Sequence, residues 1–290
     1  MVKLIALSTG VTLEYAEHGL ASGMPVVCLH GLTDSWWSFE PLFVRLPPTI
    51  RALALTQRGH GRSSKPAEGY TYTDFSEDVR AFLDALRLPA AVIVGHSMGS
   101  MVAQRFAADH PERVAGLVLL GAFRTLHRSP AIQEFWDSAV STLEDPVDPA
   151  FATEFQVSTL AREVPPELLA TAVDESLQVP ARVWREAFRG FLETPDFSEE
   201  LAHMPAPALI AWGDCDSYAP LADQVALRAA IPDAQLIVYR GGGHAFHWED
   251  PARVAHDLVA FLYDRRAARQ QDTEGARGQG DVTVVPQSAG

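Results

Sequence analysis

The feature that most restricts the fold is a regular alternation of short apolar segments with longer amphipathic ones. From Pro25 onward, segments rich in Val, Ile and Leu are separated by helical patterns such as Tyr72–Leu86 and Met98–Asp109. Near-continuous apolar strands are typical of a parallel sheet that helices cover on both faces. The sequence therefore predicts an α/β fold, with a hairpin formed by the first two strands. The predicted strands are KLIAL, VTLEYAE, PVVCLHG, RALALTQ, AAVIVGH, VAGLVLLG, PALIAWGD and AQLIVYRG.

The alternation stops between Phe123 and Pro205. This segment has helical stretches at Ala131–Leu143 and Pro180–Leu192, and its many prolines divide it into short helices. An all-helical insertion favours a cap over the carboxyl ends of the strands, where open α/β sheets bind ligands. Packing on the side of the domain is the alternative. The predicted organisation is a core at residues 1–122 and 206–266, a helical cap at 123–205 and a disordered, Gly- and Gln-rich tail at 267–290.

The composition restricts the possible partners. The 290 residues are 47% hydrophobic and include 23 Lys and Arg against 37 Asp and Glu, a formal net charge of −14. Such an acidic chain disfavours binding to nucleic-acid phosphates, and no apolar run approaches the roughly 20 residues that span a bilayer. Cys28 and Cys215 form neither a disulfide framework nor a metal-binding spacing. We expect a globular, cytoplasmic protein, a monomer or homodimer, that acts on a small molecule without metal, cofactor, nucleic acid or membrane.

A serine lies on a tight bend after the fifth predicted strand. The apolar strand ends in the sequence GHSMG, which contains Ser97, and a helical pattern begins at once. Close approach of strand and helix requires the glycines Gly95 and Gly99, and the helix N-terminus supplies unpaired N–H groups near the hydroxyl. The pattern G-x-S-x-G between a strand and a helix predicts a nucleophile elbow. The alternative is a structural turn of small residues.

A nucleophilic serine needs a base and a group that orients the base. His244 follows the last predicted strand and three glycines, and His247 lies three residues later. Asp214 and Asp216 come directly after the preceding strand. Because the carboxyl ends of parallel strands meet at one edge of a sheet, we expect the acid, the base and Ser97 to converge there.

Five motifs, each after a predicted strand, carry a resemblance to a known family. They are LHGLTDSWWSF, TQRGHGRSSKP, GHSMGS, WGDCDSYAP and GGGHAFHWEDP, and the chain order serine, aspartate, histidine agrees with them. The sequence resembles the α/β-hydrolase fold superfamily over about Leu4 to Arg266, in its capped serine esterase and lipase-like branch. The resemblance implies an eight-stranded, mostly parallel sheet with a helical cap inserted after the sixth strand.

The resemblance also implies roles for single residues. Ser97 would be the nucleophile and His244 the general base. Asp216 matches the family pattern W-G-x-x-D and would be the acid that orients the base. Asp214 would then cap or hydrogen-bond its own loop, and His247 would line the site or cap a helix.

An oxyanion hole is implied in the same way. The family pattern assigns its two donors to the backbone N–H groups of Leu32 and Met98. The loop with Leu32 can also enter a helix, with Asp34 or Ser35 as the N-cap. The sequence departs from the family at Gln57, near which many members carry an acidic residue, and this departure concerns loop anchoring.

The expected reaction is acyl transfer to water. A serine nucleophile favours an acyl carbon, whereas the epoxide hydrolases and haloalkane dehalogenases of this fold use aspartate at the elbow. Hydrolysis of a carboxylic ester or lactone of a small to medium hydrophobic substrate is the leading prediction. The alternatives are C–C bond hydrolysis of a diketone with the same residues, or ligand binding without turnover, and cofactor-free peroxidase activity is an expected side reaction. The possible substrate pocket consists of Trp36, Trp37, Phe123, Trp136 and His247.

Overall fold

The computed structural model describes residues 2–127 and 130–263 and contains an eight-stranded sheet. The strands are β1 (Val2–Ala6), β2 (Thr12–His18), β3 (Met24–Leu29), β4 (Ile50–Thr56), β5 (Ala91–His96), β6 (Val114–Leu120), β7 (Ala208–Gly213) and β8 (Ala234–Tyr239). Their order in the sheet is β1-β2-β4-β3-β5-β6-β7-β8. Strand β2 runs antiparallel to β1 and β4, and the other neighbouring pairs are parallel. The predicted α/β fold, mostly parallel sheet and N-terminal hairpin are confirmed.

Helices connect the strands. They are α1 (Glu40–Phe43), α2 (Tyr72–Ala85), α3 (Met98–Asp109), α4 (Pro130–Ser138), α5 (Pro149–Ser158), α6 (Pro166–Leu177), α7 (Ala181–Glu193), α8 (Ser198–Leu201), α9 (Leu221–Ala230) and α10 (Phe246–Glu249). Residues 251–263 are also helical. The predicted helix at Ala131–Leu143 is divided into α4 and a 3₁₀ turn at Val140–Thr142, because the backbone of Ala139 leaves the helical region at φ −134°.

Helices α4–α8 lie between β6 and β7 and form the inserted segment, defined here as residues 130–201. Their position in the chain agrees with the predicted insertion at 123–205, although the boundaries of the predicted domains stay a prediction. The predicted tail at 267–290 lies outside the described residues. Each helix in the described part of the chain is too short or too polar to cross a lipid bilayer.

Side chains of the central strands are buried on both faces of the sheet. Along β3, Val27 and Leu29 belong to one hydrophobic cluster, whereas Val26 and Cys28 belong to the other. Helices α2 and α3 cover the first face, and α1 and the helical residues 251–263 cover the second. Because successive residues of such a strand all require apolar side chains, the strands read as continuous apolar runs. This two-sided burial fixes the carboxyl ends of the strands, where the loops of the site begin.

Candidate active site

Ser97 occupies a strained turn between β5 and α3. Its backbone has φ 52° and ψ −118°, a combination that residues with a Cβ atom rarely adopt. A Cβ atom on Gly95 would lie 2.2 Å from the carbonyl oxygen of Gly99, and one on Gly99 would lie 2.0 Å from that of Leu29. Both glycines are therefore required by the close approach of α3 to the strands, and the turn has the geometry expected of a nucleophile elbow.

His244 and Asp216 meet at the neighbouring strand ends. The Nδ1 atom of His244 is 2.8 Å from Oδ2 of Asp216, and both side chains are buried. The other oxygen, Oδ1, accepts hydrogen bonds from the backbone N–H groups of Tyr218 at 2.8 Å and Ala219 at 2.9 Å. Burial raises the pKa of Asp216, but the charge of His244, its hydrogen bond and the two backbone donors together hold that pKa below its usual value.

Asp214 makes different contacts from those of Asp216. Its Oδ1 atom accepts a hydrogen bond from the backbone N–H of Gly241, and its carboxylate also contacts Arg240. These contacts, led by the Gly241 hydrogen bond, lower the pKa of Asp214. Asp214 therefore ties the loop after β7 to the loop after β8, and Asp216 is the acid that contacts His244.

Ser97 and His244 line one cavity beneath the inserted segment. The cavity encloses about 590 Å³ of space, counting its opening to solvent. Its polar lining includes Asp34 and Gln156. Much of the wall is aromatic and consists of Phe123, Phe135, Phe155, Phe188, Phe191 and Trp248. The arrangement brings a serine, an imidazole paired with a carboxylate and an apolar binding space to one edge of the sheet.

The loop after β3 contributes Gly31, Leu32 and Asp34 to the lining of the cavity. Leu32 lines the cavity, and Thr33, the next residue, has a positive φ of 67°. The side chain of Gln57 donates from Nε2 to the carbonyl oxygen of His30 at 2.9 Å, which anchors this loop to the end of β4. Met98 is the first residue of α3, so its N–H has no partner within the helix. Leu32 and Met98 are the two residues whose backbone N–H groups the family resemblance implies as oxyanion donors.

The predicted pocket residues separate into two groups. Phe123 lines the cavity, with its ring 5.6 Å from that of His244, whereas the other four are absent from the lining. Trp36 packs against the hydrophobic cluster on the second face, and Trp37 lies against Trp248 at 6.4 Å between ring centroids. Trp136 stacks on Phe188 at 6.0 Å. The fourth, His247, is fully buried beside Ser38, whose hydroxyl is 3.1 Å from its Nε2 atom. Ser35, and not Asp34, caps the 3₁₀ turn that follows the oxyanion loop.

Three imidazole rings are packed together at the wall of the cavity. The ring centroid of His96 lies 5.0 Å from that of His244 and 4.2 Å from that of His247. His96 Nε2 is 3.1 Å from the carbonyl oxygen of His244, where it can donate a hydrogen bond. Burial, followed by the neighbouring His244, lowers the pKa of His96 to about 3, and burial also places the pKa of His247 well below its usual value. Both rings are therefore neutral near pH 7.

Four site residues were not identified from the sequence. Asp34 and Gln156 line the cavity as polar groups, and the ring of Tyr218 lies 5.2 Å from that of His244. A Cβ atom on Gly121, which has φ 53°, would lie 3.1 Å from Nδ1 of His244. Gly121 directly follows β6 at the edge where the site loops meet, and Asp34 and Tyr218 lie within two of the family motifs, whereas Gln156 has no local signal. Among residues 2–127 and 130–263, no three His, Cys, Asp or Glu side chains are grouped so as to hold a metal ion.

Similar proteins are known in sequence and in structure. The chain is 31% identical over 257 residues to a putative carbamate hydrolase from Variovorax paradoxus, covering 86% of this chain and 96% of that protein. It is 29% identical over 277 residues to a non-heme chloroperoxidase from Streptomyces lividans, covering 89% and 98%. An esterase structure from a Rhodococcus species has a TM-score of 0.80 at 27% identity, covering 90% of this chain and 98% of that one. A family model described as the alpha/beta hydrolase fold matches residues 24–251. The chain therefore belongs to the α/β-hydrolase fold family.

Proposed function

We propose that the protein is a serine hydrolase that cleaves a carboxylic ester or lactone through an acyl-enzyme on Ser97. The observation that supports this most directly is the 2.8 Å contact of His244 Nδ1 with Asp216, made at the edge of the cavity that Ser97 also lines. An imidazole held by a carboxylate on one nitrogen presents the other nitrogen as a base. Hydrolase activity agrees with the esterase among the similar structures.

The proposed reaction has two halves. In the first, His244 takes the hydroxyl proton of Ser97 as its oxygen attacks the acyl carbon, and the imidazolium then gives that proton to the leaving alkoxide. In the second, His244 takes a proton from water as the water attacks the acyl-enzyme, and it then returns that proton to Oγ of Ser97 as the acid leaves. Asp216 stabilises the imidazolium in both halves. The N–H groups of Leu32 and Met98 would bind the oxyanion, each contributing on the order of 10²- to 10³-fold in rate.

The cavity wall supports a mainly hydrophobic substrate of small to medium size. Phe135, Phe155, Phe188 and Phe191 belong to the inserted segment, so this segment contributes much of the apolar lining. We propose that the inserted segment acts as a cap. In that role it excludes bulk water, which strengthens the electrostatic interactions of the reacting groups.

The proposal is tested with p-nitrophenyl esters of increasing chain length, a set of lactones and a ring-cleavage diketone. Ser97→Ala should lower kcat by about 10⁶-fold on the class that is cleaved, as in another serine hydrolase. Ser100→Ala is the matched control, because Ser100 lies one turn further along α3 and is fully buried. A fluorophosphonate probe should label the wild type and Ser100→Ala. Labelling of Ser97→Ala at the wild-type rate would contradict the proposal.

A second reaction of the same acyl-enzyme is suggested by the similarity to a non-heme chloroperoxidase. Hydrogen peroxide can replace water as the nucleophile: His244 takes its proton as the peroxide attacks the acyl carbon, the acyl group leaves as a peracid, and the proton returns to Oγ of Ser97. We expect peracid to form when an ester and peroxide are supplied together, and Ser97→Ala to abolish it. Peracid formation at an unchanged rate in Ser97→Ala would refute this second reaction.

A further inference from the structure

The cavity contains one carboxyl group besides that of the Asp216–His244 pair. Asp34 lines it together with Ser97 and His244, although its side chain is nearly buried. A Cβ atom built on Gly31 would lie 3.2 Å from Oδ2 of Asp34 and 3.3 Å from Cβ of Ser97. The carboxylate oxygen and the serine therefore flank the same small space. A carboxyl group so close to the reacting atoms, within a largely aromatic wall, requires an explanation.

Its hydrogen bonds within the protein leave acceptor capacity unused. Oδ1 accepts from Nε2 of Gln156 at 3.3 Å, and Oδ2 accepts from the hydroxyl of Ser38 at 3.3 Å. Both distances are long, and a carboxylate has about four acceptor positions. Gln156 makes its shortest contact elsewhere, from Nε2 to the hydroxyl of Ser176 at 2.8 Å. Asp34 is therefore held in place by weak donors and can accept a stronger bond from a ligand.

The amide of Gln156 defines which kind of ligand group fits. Its Nε2 atom already faces Asp34, Ser176 and Thr33. Its two N–H groups are thus shared among protein acceptors and are not free to bind a ligand oxygen. The free polar functions beside Ser97 are then two acceptors, the carboxyl of Asp34 and the unpartnered Nδ1 atom of the neutral His96 ring. That Nδ1 atom lies 3.0 Å from the same Cβ position on Gly31. Both acceptors recognise a donor and disfavour a bare ether or carbonyl oxygen, and of the two Asp34 alone can carry a negative charge.

We propose that Asp34 forms a polar subsite that selects acyl groups carrying a hydrogen-bond donor, a hydroxyl or an amide N–H, on the second or third carbon of the acyl chain. This inference rests on the proposed acyl-enzyme at Ser97, because the closeness of Asp34 to Ser97 sets the distance from the scissile carbonyl. The proposed substrates are therefore hydroxylated or acylamino esters and lactones, whose remaining parts bind in the otherwise apolar cavity.

The charge state of Asp34 provides an independent readout. Burial raises its pKa to about 7, with Gln156 and Ser38 opposing the shift and Glu175 and His244 contributing smaller effects of opposite sign. The neutral rings of His96 and His247 lie close by, through Gly31 and Ser38 respectively. The group is protonated below about pH 7 and is a carboxylate, a stronger acceptor, above it. Selection for a donor should therefore increase from pH 6 to pH 8.

The test compares three p-nitrophenyl esters of equal chain length: butyrate, 3-hydroxybutyrate and 3-methoxybutyrate. The 3-hydroxy ester should have the highest kcat/KM, and its ratio to the 3-methoxy ester should rise with pH. The same catalytic groups act on all three substrates, so any pH effect on the common chemical step cancels in this ratio. Asp34→Leu should lower the ratio by about 10- to 100-fold, and in Asp34→Asn the ratio should no longer depend on pH.

Thr159→Val is the matched control. Thr159 also lines the cavity, but its hydroxyl already donates to the carbonyl oxygen of Gln156 at 2.7 Å. This variant should change the three substrates alike. A ratio that is unaffected by Asp34→Leu, or lowered equally by Thr159→Val, would overturn the subsite.

A binding measurement separates this inference from the proposed function. Calorimetry on Ser97→Ala with 3-hydroxybutyranilide and butyranilide should show about 10-fold or more tighter binding of the hydroxylated compound, and the preference should vanish in the double variant with Asp34→Leu. If this preference is found but the wild type cleaves no ester, the proposed function fails and the subsite stands. If the esters are cleaved without any preference in rate or binding, the hydrolase stands and the subsite fails.

Discussion

Replacement of Ser97 by glycine is expected to stabilise the protein while abolishing its activity. Ser97 has φ 52° and ψ −118°, a region open to glycine but costly for residues with a Cβ atom. Such non-glycine strain amounts to about 1–3 kcal/mol. Ser97→Ala removes the hydroxyl but keeps the Cβ atom and therefore the strain. The difference between the two variants isolates the backbone contribution to the free energy of unfolding.

Two opposing effects set the expected magnitude. Glycine relieves the native strain, but it also increases the conformational entropy of the unfolded chain, which lowers stability by about 0.4–1 kcal/mol. The side chain of Ser97 is partly exposed in the cavity, so its loss removes little packing. We therefore expect Ser97→Gly to be more stable than Ser97→Ala by about 0.5–2 kcal/mol, which in a chain of this size raises Tm by roughly 1–4 °C.

Urea unfolding of both variants measures the difference, provided that the slope of the free energy with urea is the same for both. Ser100 provides a control in which the stability difference between the glycine and alanine variants should have the opposite sign. It lies in helix α3, where glycine is about 1 kcal/mol less favourable than alanine, so Ser100→Gly should be less stable than Ser100→Ala. If Ser97→Gly proves no more stable than Ser97→Ala, the turn at Ser97 is not strained and the reasoning is refuted.

Three further results are expected. The pKa of Asp34 in the folded protein, about 7, lies above its usual 3.8, so the free energy of unfolding of the wild type falls as the pH rises from about 4 to 7. Asp34→Asn should remove this loss. Above pH 7 the variant should therefore be more stable than the wild type, by up to about 4 kcal/mol. Identical pH dependence of unfolding in the two proteins would contradict this. Asp216→Asn should lower kcat on the cleaved ester by about 10⁴-fold without unfolding the chain; a loss below 10-fold would exclude the orienting role. Gly121→Ala places a methyl group about 3 Å from His244 and should lower kcat/KM at least 10-fold while circular dichroism stays unchanged; full activity would show that His244 can move aside.

The sequence predicted the parts of the molecule that depend on local chemistry. Strands such as β5 and β7 are buried along their whole length, so they can be predicted from their continuous apolar sequence. The elbow at Ser97 was predicted because its two glycines are dictated by backbone contacts within a few residues and by a neighbouring strand. The meeting of an acid, a base and Ser97 followed from the convergence of strand ends in a parallel sheet, whereas the choice of Asp216 and His244 came from the resemblance to the family.

The polar side of the cavity was not predictable, because its residues come from distant segments. Asp34 and Gln156 are 122 residues apart in the chain. The motif LHGLTDSWWSF contains Asp34 but suggests for it only the role of an N-cap, and Gln156 belongs to no motif. Trp36 and Trp136 were expected in the pocket for their size and apolar character. Both are used in packing outside the cavity, since sequence gives the apolar character of a residue but not the direction in which its side chain points. Tertiary packing decides that direction, on the second face of the sheet for Trp36 and within the inserted segment for Trp136.

The placement of energetically costly features is a further physical argument for the site. Three non-glycine residues have a positive φ, in the part of the chain that the structure describes. Arg87 has an ordinary structural reason, because it ends helix α2 with its N–H donating to the carbonyl oxygen of Asp84 at 2.9 Å. Thr33 and Ser97 have no such reason: Ser97 lines the cavity, and Thr33 lies between Leu32 and Asp34, which both line it. The buried carboxyl of Asp34 and the unpartnered Nδ1 atom of His96 lie in the same wall. Strain and buried polar groups persist only where the surrounding packing enforces them. The two strained turns that lack a structural reason therefore adjoin the cavity, which indicates that the cavity, and not the sheet beneath it, is the part of the molecule shaped for chemistry.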